Sequence, residues 1–244
     1  MGRIPRQAIL SIAVNKEYDT KDLQGIVDGV KAQCKAFNVN LVGGDMVGNT
    51  GVLVITMTVV GEVEAGKAVL RSGAKSGDWV GVTNVLGSSA TGLDVLTAEQ
   101  KEYYASKDAY QRPVPQVALG QHLRLHGATA MNDISDGLAS ELNEIAKASH
   151  VHISVDKQAI PLHKETLTWS ELRAIDPVEF ALYGGEDFQL VFTVPDMMKE
   201  MLEKHPLLTF IGRVEDKPEG VTLVNEELGE EIALDAKGSS HFTE

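Results

Sequence analysis

The sequence has almost no cysteine: Cys34 is the only one in 244 residues. An intramolecular disulfide is therefore impossible, and a zinc site built from several thiolates is excluded. A chain of this length needs neither, because it can bury a sizeable core as one large domain or two small ones. The low cysteine content fits a reducing compartment, so we expect a cytoplasmic protein.

Long hydrophobic runs are also missing. The longest apolar stretch, residues 52–60, is interrupted by Thr56 and Thr58. It is far shorter than the roughly 20 residues that a membrane-spanning helix requires. The first residues, 1–6, lack the apolar core of a signal peptide. These absences predict a protein that does not act at or in a membrane.

Positive charge is scarce as well. Lys and Arg total 22 against 35 Asp and Glu, and the formal net charge is −13. A chain this acidic is not a general binder of nucleic acid or of an anionic membrane surface. If its substrates are anions, they must be bound through a few local basic groups or through cations.

The first sixty residues predict a strand, a helix and a second strand. Residues 7–14 are apolar and rich in strand-forming side chains. Apolar side chains then recur at helical spacing over 20–37, and residues 53–60 alternate as in a strand. The segment 41–45 between them is predicted as a loop. The polar, glycine-containing segment 61–77 is the predicted domain boundary.

This boundary gives a partial N-terminal domain, residues 1–64, and a larger C-terminal domain, residues 65–244. Strands and helices are intermixed in the second domain without strict alternation, which indicates an α/β or α+β fold. The predicted strands are 79–83, 129–134, 151–155, 188–194 and 208–214; the predicted helices are 117–125, 137–149 and 196–204, with a further exposed helix within 97–115 and a hairpin at 221–234.

Two glycine-containing segments fall short of known motifs. Residues 61–68 differ from a P-loop because Ala68 stands where a magnesium-binding hydroxyl is required. Glu62 and Glu64 would also repel a phosphate held there. The predicted loop 87–92 lacks the spacing of a nucleophile elbow. Nucleotide binding by this chain would therefore use another type of site.

Four short segments rich in glycine or acidic residues are better candidates. They are 41–45, 71–74, 133–137 and 183–187. Each places polar side chains near the end of a strand or helix, where ligand sites tend to form. Taken together they supply several carboxylates, one guanidinium and many accessible backbone N–H groups. Such a set can bind a polyphosphate through metal ions.

Asp133 and Asp136 are the most informative pair. The first ends a predicted strand, and Ser135 and Asp136 open a predicted helix. Two carboxylates three residues apart across this turn can converge on a hard cation such as Mg²⁺. The alternative is that Ser135 or Asp136 only caps the helix. The other candidates also have ordinary alternatives: a turn residue for Asp45, a surface cation for Arg71.

The order of these segments resembles that of the thiamine-monophosphate kinase family, which belongs to the superfamily of aminoimidazole ribonucleotide synthetase. The resemblance covers essentially the whole chain. It is carried by Leu-Val-Gly-Gly-Asp at 41–45, Arg-Ser-Gly-Ala-Lys-Ser-Gly-Asp at 71–78, Asp-Ile-Ser-Asp-Gly-Leu-Ala at 133–139, Ala-Leu-Tyr-Gly-Gly-Glu-Asp at 181–187 and Ile-Gly-Arg-Val at 211–214.

The resemblance implies a two-domain α/β fold, a homodimer, and Mg²⁺-dependent direct transfer of a phosphoryl group from ATP to thiamine monophosphate. It also implies roles for particular residues. The metal ligands would be Asp45, Asp133 and Asp136; the ATP ligands would be Gly44, Asp45, Arg71 and Ser135; and Glu186 would contact thiamine monophosphate.

The sequence departs from this family at both ends. Family members carry a further stretch, with a Gly-Asp-Asp strand and more metal-binding acids, ahead of the Met-Gly at position 1. We therefore expect the N-terminal domain to be incomplete, with an unpaired strand edge, and residues 1–244 alone to have weak or no kinase activity. Near the C-terminus, Ser239 stands where the family has an aromatic residue that stacks on the substrate.

Two alternatives stay open. The chain could be another ATP-using member of the superfamily with a different acceptor, which a reactive cysteine near the start or in the tail would favour. It could also be a truncated, non-catalytic subunit that binds nucleotide or pairs with a full-length partner. An in-frame Gly-Asp-Asp segment upstream of Met1 would argue against this second alternative.

Overall fold

The structure is a computed structural model that describes residues 1–225 and 227–236. Two compact units make up the chain: Arg3–Lys67, and a larger unit that contains Met1–Gly2 and the chain from Ala68 onward. The division between them lies inside the glycine-containing segment 61–77. Position 239, where the family has an aromatic residue, lies outside the described residues.

The N-terminal unit is a three-stranded sheet with one helix. Its elements are β1 (Ile4–Val14), α1 (Thr20–Ala36), β2 (Asn40–Gly48) and β3 (Val54–Glu62). The strand order is β2-β1-β3, with β1 parallel to β2 and antiparallel to β3. Parallel neighbours need a long crossover connection, and α1 provides it.

Helix α1 begins and ends where local chemistry favours it. The side chain of Asp19 accepts a hydrogen bond from the backbone N–H of Lys21 and caps the N-terminus. Lys35 lies in the last turn, where a positive charge complements the helix dipole. The only cysteine, Cys34, is buried on this helix, as expected from its place among the apolar positions.

Strand β2 corrects the prediction of a loop at 41–45. Gly44 pairs with Leu10 of β1, and Asp45 pairs with Ser11. A Cβ atom on Gly44 would lie 1.9 Å from the backbone oxygen of Leu10, so only glycine fits there. The segment lacks the alternation typical of a strand because close approach to β1, rather than burial of alternate side chains, determines its residues.

Much of the sheet's apolar surface is exposed. The centre of β1 is buried at Ala8, Leu10 and Ile12, whereas both outer strands carry exposed large side chains. These are Val42, Met46 and Val47 on β2 and Val54, Ile55, Met57, Val59 and Val60 on β3. The two outer strands are also the edges of this sheet.

The C-terminal unit is built on a mixed seven-stranded sheet with the order β10-β9-β6-β8-β4-β7-β5. Its strands are β4 (Trp79–Thr83), β5 (Ala130–Asp133), β6 (His152–Asp156), β7 (Leu190–Val194), β8 (Leu208–Glu215), β9 (Gly220–Asn225) and β10 (Glu230–Ala233). Its helices are α2 (Ser88–Thr97), α3 (Tyr104–Gln111), α4 (Val117–Leu125), α5 (Leu138–Ser149), α6 (Lys164–Arg173), α7 (Pro177–Tyr183) and α8 (Asp196–Leu202). None of the helices in the described residues is long and apolar enough to cross a bilayer.

Alternate side chains of the central strands enter two separate hydrophobic clusters. Val191 of β7 belongs to a cluster that includes Leu142 and Ile145 of α5. Phe192, the next residue, belongs to a second cluster that includes Leu123 of α4. Because neighbouring residues of a strand point to opposite faces, the sheet lies between two layers of helices.

Three helices were not predicted correctly. The predicted loop 87–92 is in fact the start of α2, whose serine, alanine, threonine and glycine residues give no helical hydrophobic pattern. Helix α6 has no clear apolar face either. Helix α7 is short, but it carries a start signal: Asp176 caps it through the N–H of Val178, and Pro177 occupies its first position.

Substitutions at two glycines in helices, Gly92 and Gly29, form a matched pair that tests the packing of α2 against α3. A Cβ on Gly92 of α2 would lie 2.1 Å from the backbone oxygen of Ser106, so Gly92→Ala should destabilise the C-terminal unit by about 2–3 kcal/mol. A Cβ on Gly29 of α1 meets nothing within 4 Å. Gly29→Ala should therefore stabilise α1 by about 0.5–1 kcal/mol. Urea denaturation followed by circular dichroism measures both, and equal effects of the two changes would contradict the packing of α2 against α3.

Candidate active site

The loop between β5 and α5 presents two carboxylates. Asp133 is the last residue of β5, and α5 begins at Leu138. The capping position of α5 is Gly137, and no side chain caps the helix. The alternative that Ser135 or Asp136 serves as the helix cap is therefore wrong, and the carboxylate of Asp136 is available for another role.

Gly137 allows this loop to approach the end of α7. Its φ of +98° lies in the left-handed region, where side chains are strained. A Cβ there would also lie 2.6 Å from the backbone oxygen of Leu182. The loop 133–137 is therefore held against the C-terminal end of α7, which leads directly into the segment that carries Glu186.

Backbone hydrogen bonds join this loop to the segment 184–189. The N–H of Ile134 donates to the oxygen of Gln189 at 2.7 Å, and the N–H of Phe188 donates to the oxygen of Ile134 at 2.9 Å. The N–H of Glu186 donates to the oxygen of Ser135 at 2.7 Å. These bonds continue the β5–β7 ladder beyond its last pair and place the exposed side chain of Glu186 beside Ser135.

Asp187 connects the same segment to α2. Its carboxylate accepts hydrogen bonds from the N–H of Gly87 at 2.6 Å and of Ser89 at 3.1 Å. A carboxylate at a helix N-terminus is favoured by the helix dipole. The side chain is only 7% exposed, however, and burial raises the pKa of Asp187 to about 6 against the opposing effect of these hydrogen bonds.

A second buried carboxyl group lies beneath the loop. Glu141 of α5 is 3% exposed and accepts hydrogen bonds from the side chain of Asn132 and from the hydroxyl of Ser135 at 3.2 Å. Burial raises the pKa of Glu141, and the negative charges of Asp133 and Asp136 act in the same direction. The hydrogen bonds of Glu141 also orient the Ser135 hydroxyl.

The site therefore concentrates negative charge. Asp133, Asp136, Glu141, Glu186 and Asp187 form no ion pair with Lys or Arg in the part of the chain that the structure describes. No three metal-binding side chains of the described residues form a complete cation cage. A donor set of two carboxylates open to water fits Mg²⁺, which prefers one or two carboxylates plus waters and phosphate oxygens.

The other predicted site residues are Arg71 in the C-terminal unit and Gly44 and Asp45 in the N-terminal unit. The guanidinium of Arg71 is half-exposed and pairs with Glu144 at 3.8 Å, and its backbone oxygen accepts a hydrogen bond from Ser149. Ser149 ends α5, whereas Glu144 lies halfway along it, so the guanidinium reaches back along this helix toward its N-terminus. Gly44 and Asp45 lie on β2 of the N-terminal unit. Their roles stay predictions.

Sequence reasoning missed two parts of the site. The first is the N-terminus of α2, which Asp187 holds across a separation of 98–100 residues. The second is Glu141, for which a signal was available. It lies three residues after Leu138 and four before Ile145, so helical spacing places this acid on the apolar face of α5.

Comparison with known proteins first identifies the superfamily to which both domains of the chain are similar. The family described as AIR synthase related protein matches this chain with its N-terminal domain over residues 1–63 and its C-terminal domain over residues 75–225. A solved structure described as AaThiL complexed with AMPPCP and TMP superimposes with a TM-score of 0.87 at 33% identity, covering 99% of this chain and 75% of that one. The predicted α/β fold of this superfamily is confirmed.

Similarity to curated relatives identifies the family within this superfamily. The thiamine-monophosphate kinase of Bacillus subtilis is 38% identical over 255 residues, covering 99% of this chain and 76% of the relative. The enzyme of the same name from Aquifex aeolicus is 34% identical over 245 residues with the same coverage of both chains. The chain belongs to the thiamine-monophosphate kinase family, and the kinase class predicted from its motifs is confirmed.

The burial of Asp187 predicts a specific dependence of stability on pH. Because the folded chain raises this pKa from 3.8 to about 6, it binds the proton more tightly than the unfolded chain. The resulting stabilisation is complete below about pH 4 and is lost as the pH rises through about 6. The stability difference between the wild type and Asp187→Asn should therefore fall by on the order of 3 kcal/mol across this range.

Urea denaturation at several pH values measures this difference. Asp216→Asn is the control, because this aspartate is exposed in the turn between β8 and β9. Its difference from the wild type should be flat between pH 4 and 7. A flat difference for Asp187→Asn as well would contradict the burial of a carboxyl group at this position.

Proposed function

We propose that this chain transfers the γ-phosphoryl group of ATP to thiamine monophosphate, giving ADP and thiamine diphosphate. The observation that carries the proposal is the close similarity to the AaThiL structure complexed with AMPPCP and TMP, an ATP analogue and a phosphate acceptor. The cluster of acidic side chains in the C-terminal unit supports it, since such a cluster suits phosphates that are bound together with cations.

Asp133 and Asp136 would hold Mg²⁺ in this proposal, and Asp45 of the N-terminal unit is a third proposed ligand. The donor chemistry fits, because both loop carboxylates lack a basic partner among the described residues and are partly open to solvent. When bound, Mg²⁺ supplies compensation for the charge of the phosphate oxygens during transfer.

The remaining contacts to ATP would come from Ser135, Gly44, Asp45 and Arg71. The Ser135 hydroxyl lies 3.2 Å from a carboxylate oxygen of Glu141 and 3.4 Å from one of Asp136, and it would turn from these acceptors to donate to a phosphate oxygen. Arg71 provides one of the few guanidinium groups of the chain, and a guanidinium can bind phosphate with two parallel hydrogen bonds.

Glu186 is the proposed contact to thiamine monophosphate. Its side chain is exposed, and its backbone is fixed to Ser135. The thiazolium ring of the substrate carries a positive charge, so a carboxylate without a basic partner is complementary to it. The arrangement would set the acceptor beside the segment that holds the donor nucleotide.

The chemical step needs no covalent enzyme intermediate. An oxygen of the acceptor phosphate attacks the γ-phosphorus of ATP, the bond from that phosphorus to the bridging oxygen breaks, and ADP leaves with the electron pair. The segments 87–89, 133–137 and 184–188 contain no His, Cys or Lys. Positioning and charge compensation therefore account for the proposed catalysis.

The expected homodimer and the expected cytoplasmic location of the protein stay predictions.

An ADP-release assay tests the proposal. Thiamine monophosphate should stimulate ADP release by an N-terminally extended form of the chain, and weakly or not at all by residues 1–244 alone, whereas unphosphorylated thiamine should stimulate neither. The variants are made in the extended form. Asp133→Asn and Asp136→Asn should each lower kcat/KM by about 100-fold or more, because a lost ligand leaves phosphate charge uncompensated. Calorimetric binding of Mg·ATP provides a second readout that does not require turnover.

Asp216→Asn is the matched control, because it removes one negative charge from an exposed turn of the same unit. It should leave kcat/KM within about twofold of the wild type. Near-normal turnover of Asp133→Asn and Asp136→Asn at limiting Mg²⁺ would show that the metal assignment is wrong. ADP release that ignores thiamine monophosphate would argue for another acceptor.

A further inference from the structure

The segment around Asp187 is held in an unusual backbone conformation. Glu186 and Phe188, which flank it, have φ values of +64° and +48°. Residues other than glycine rarely adopt such backbone conformations. Such conformations persist only where the surroundings determine them strongly, and they are frequent at ligand-binding sites. The question is which contacts hold this segment in place.

Two sets of contacts do so from opposite sides. On one side, the N–H groups of Glu186 and Phe188 donate to Ser135 and Ile134. On the other side, the Asp187 carboxylate accepts from the N–H groups that begin α2. Removing the second set would leave the Glu186 backbone held by main-chain hydrogen bonds alone.

Tight packing links α2 to the same segment. A Cβ on Gly184 would lie 2.2 Å from the oxygen of Phe180 and 2.4 Å from the Cβ of Ala90. The end of α7, the first turn of α2 and the approach to Glu186 therefore touch without spare space. A shift of the α2 N-terminus is passed directly to the segment that carries Glu186.

A purely structural role explains Asp187 poorly. The buried carboxyl has no Lys or Arg partner among the described residues, and burial without one disfavours its charged form. The ionised carboxylate has two acceptor oxygens, and each of them accepts a hydrogen bond from one backbone N–H group of α2's N-terminus. A neutral amide keeps only one oxygen for this purpose.

We propose that Asp187 is a positioning residue: by clamping the N-terminus of α2 it fixes Glu186 against Ser135, and so sets where the acceptor substrate is held relative to the nucleotide. This inference rests on the proposed function, because it assigns Glu186 to thiamine monophosphate. Asp187 itself is too buried to contact the substrate, so its effect reaches the reaction through Glu186.

Asp187→Asn tests the proposal, and Asp78→Asn is the matched control. Asp78 is also a buried aspartate, 5% exposed, and its carboxylate accepts from the N–H of Lys75 and the hydroxyl of Thr129. Asp78 precedes β4 and Thr129 precedes β5, whereas Gly87 and Asp133 lie at the other ends of these strands. The control thus perturbs a comparable hydrogen-bonded carboxylate at the opposite edge of the sheet.

The expected result separates positioning from stability. Asp187→Asn should raise the KM for thiamine monophosphate by about tenfold or more, the loss typical of one displaced charged contact, while calorimetric affinity for Mg·ATP stays within about threefold. Asp78→Asn should lower Tm but leave both constants near their wild-type values when assayed below its Tm. Equal increases in KM from both variants would overturn the proposal.

A double variant tests the route through Glu186. Glu186→Gln alone should raise the KM for thiamine monophosphate, and adding Asp187→Asn should raise it little further, because both changes remove the same contact. Fully additive effects would contradict the proposal, since they would mean that Asp187 acts independently of Glu186.

Hydrogen exchange keeps this inference distinguishable from the proposed function. The amides of Glu186 and Phe188 should exchange faster in Asp187→Asn than in the wild type, with no such change in Asp78→Asn. Unchanged exchange would overturn the positioning role. A failure of the proposed function would appear elsewhere, as an N-terminally extended wild-type form that releases no additional ADP when thiamine monophosphate is added.

Discussion

Backbone hydrogen bonds between residues 134–135 and 186–189 are the interaction on which the rest of the candidate active site depends. They extend the pairing of β5 with β7 past the end of the sheet and bring two acid-rich segments together. Because main-chain groups make these bonds, the side chains of Asp133, Asp136 and Glu186 stay available for ligands. Gly137 makes the arrangement possible, since a side chain there would collide with the end of α7.

The consequence is a concentration of negative charge with which no Lys or Arg of the described residues forms an ion pair. Burial is the main reason that the pKa values of Asp187 and Glu141 are raised, and for Glu141 the negative charges of Asp133 and Asp136 add to it. A chain with a net charge of −13 has little basic surface with which to attract phosphates directly. In the proposed function, cations bound together with the nucleotide would offset the charges of the carboxylates and of the phosphates.

How well each part of the fold and of the candidate site could be predicted from the sequence depends on whether the interactions that form it lie between residues close together in the chain. The periodicity of α1 and the carboxylates Asp133 and Asp136 were visible because their signals span a few neighbouring residues. Strand β2 was missed because close approach at Gly44 replaces the usual alternation. The clamp by Asp187 was invisible for a different reason: its partners lie 98–100 residues away, and only the folded sheet brings them together. Arg71 was grouped with the site by motif order alone, and in the structure its guanidinium pairs with Glu144 of α5.

The central claim is that this acidic site binds a nucleotide only together with a cation. Isothermal titration calorimetry of the wild-type chain with ATP, once in excess Mg²⁺ and once in EDTA at the same ionic strength, tests it most directly. Binding of ATP should be measurable with Mg²⁺ and weaker by at least about 100-fold without it, because two uncompensated anionic groups would then face each other. Equal affinity under the two conditions would contradict it.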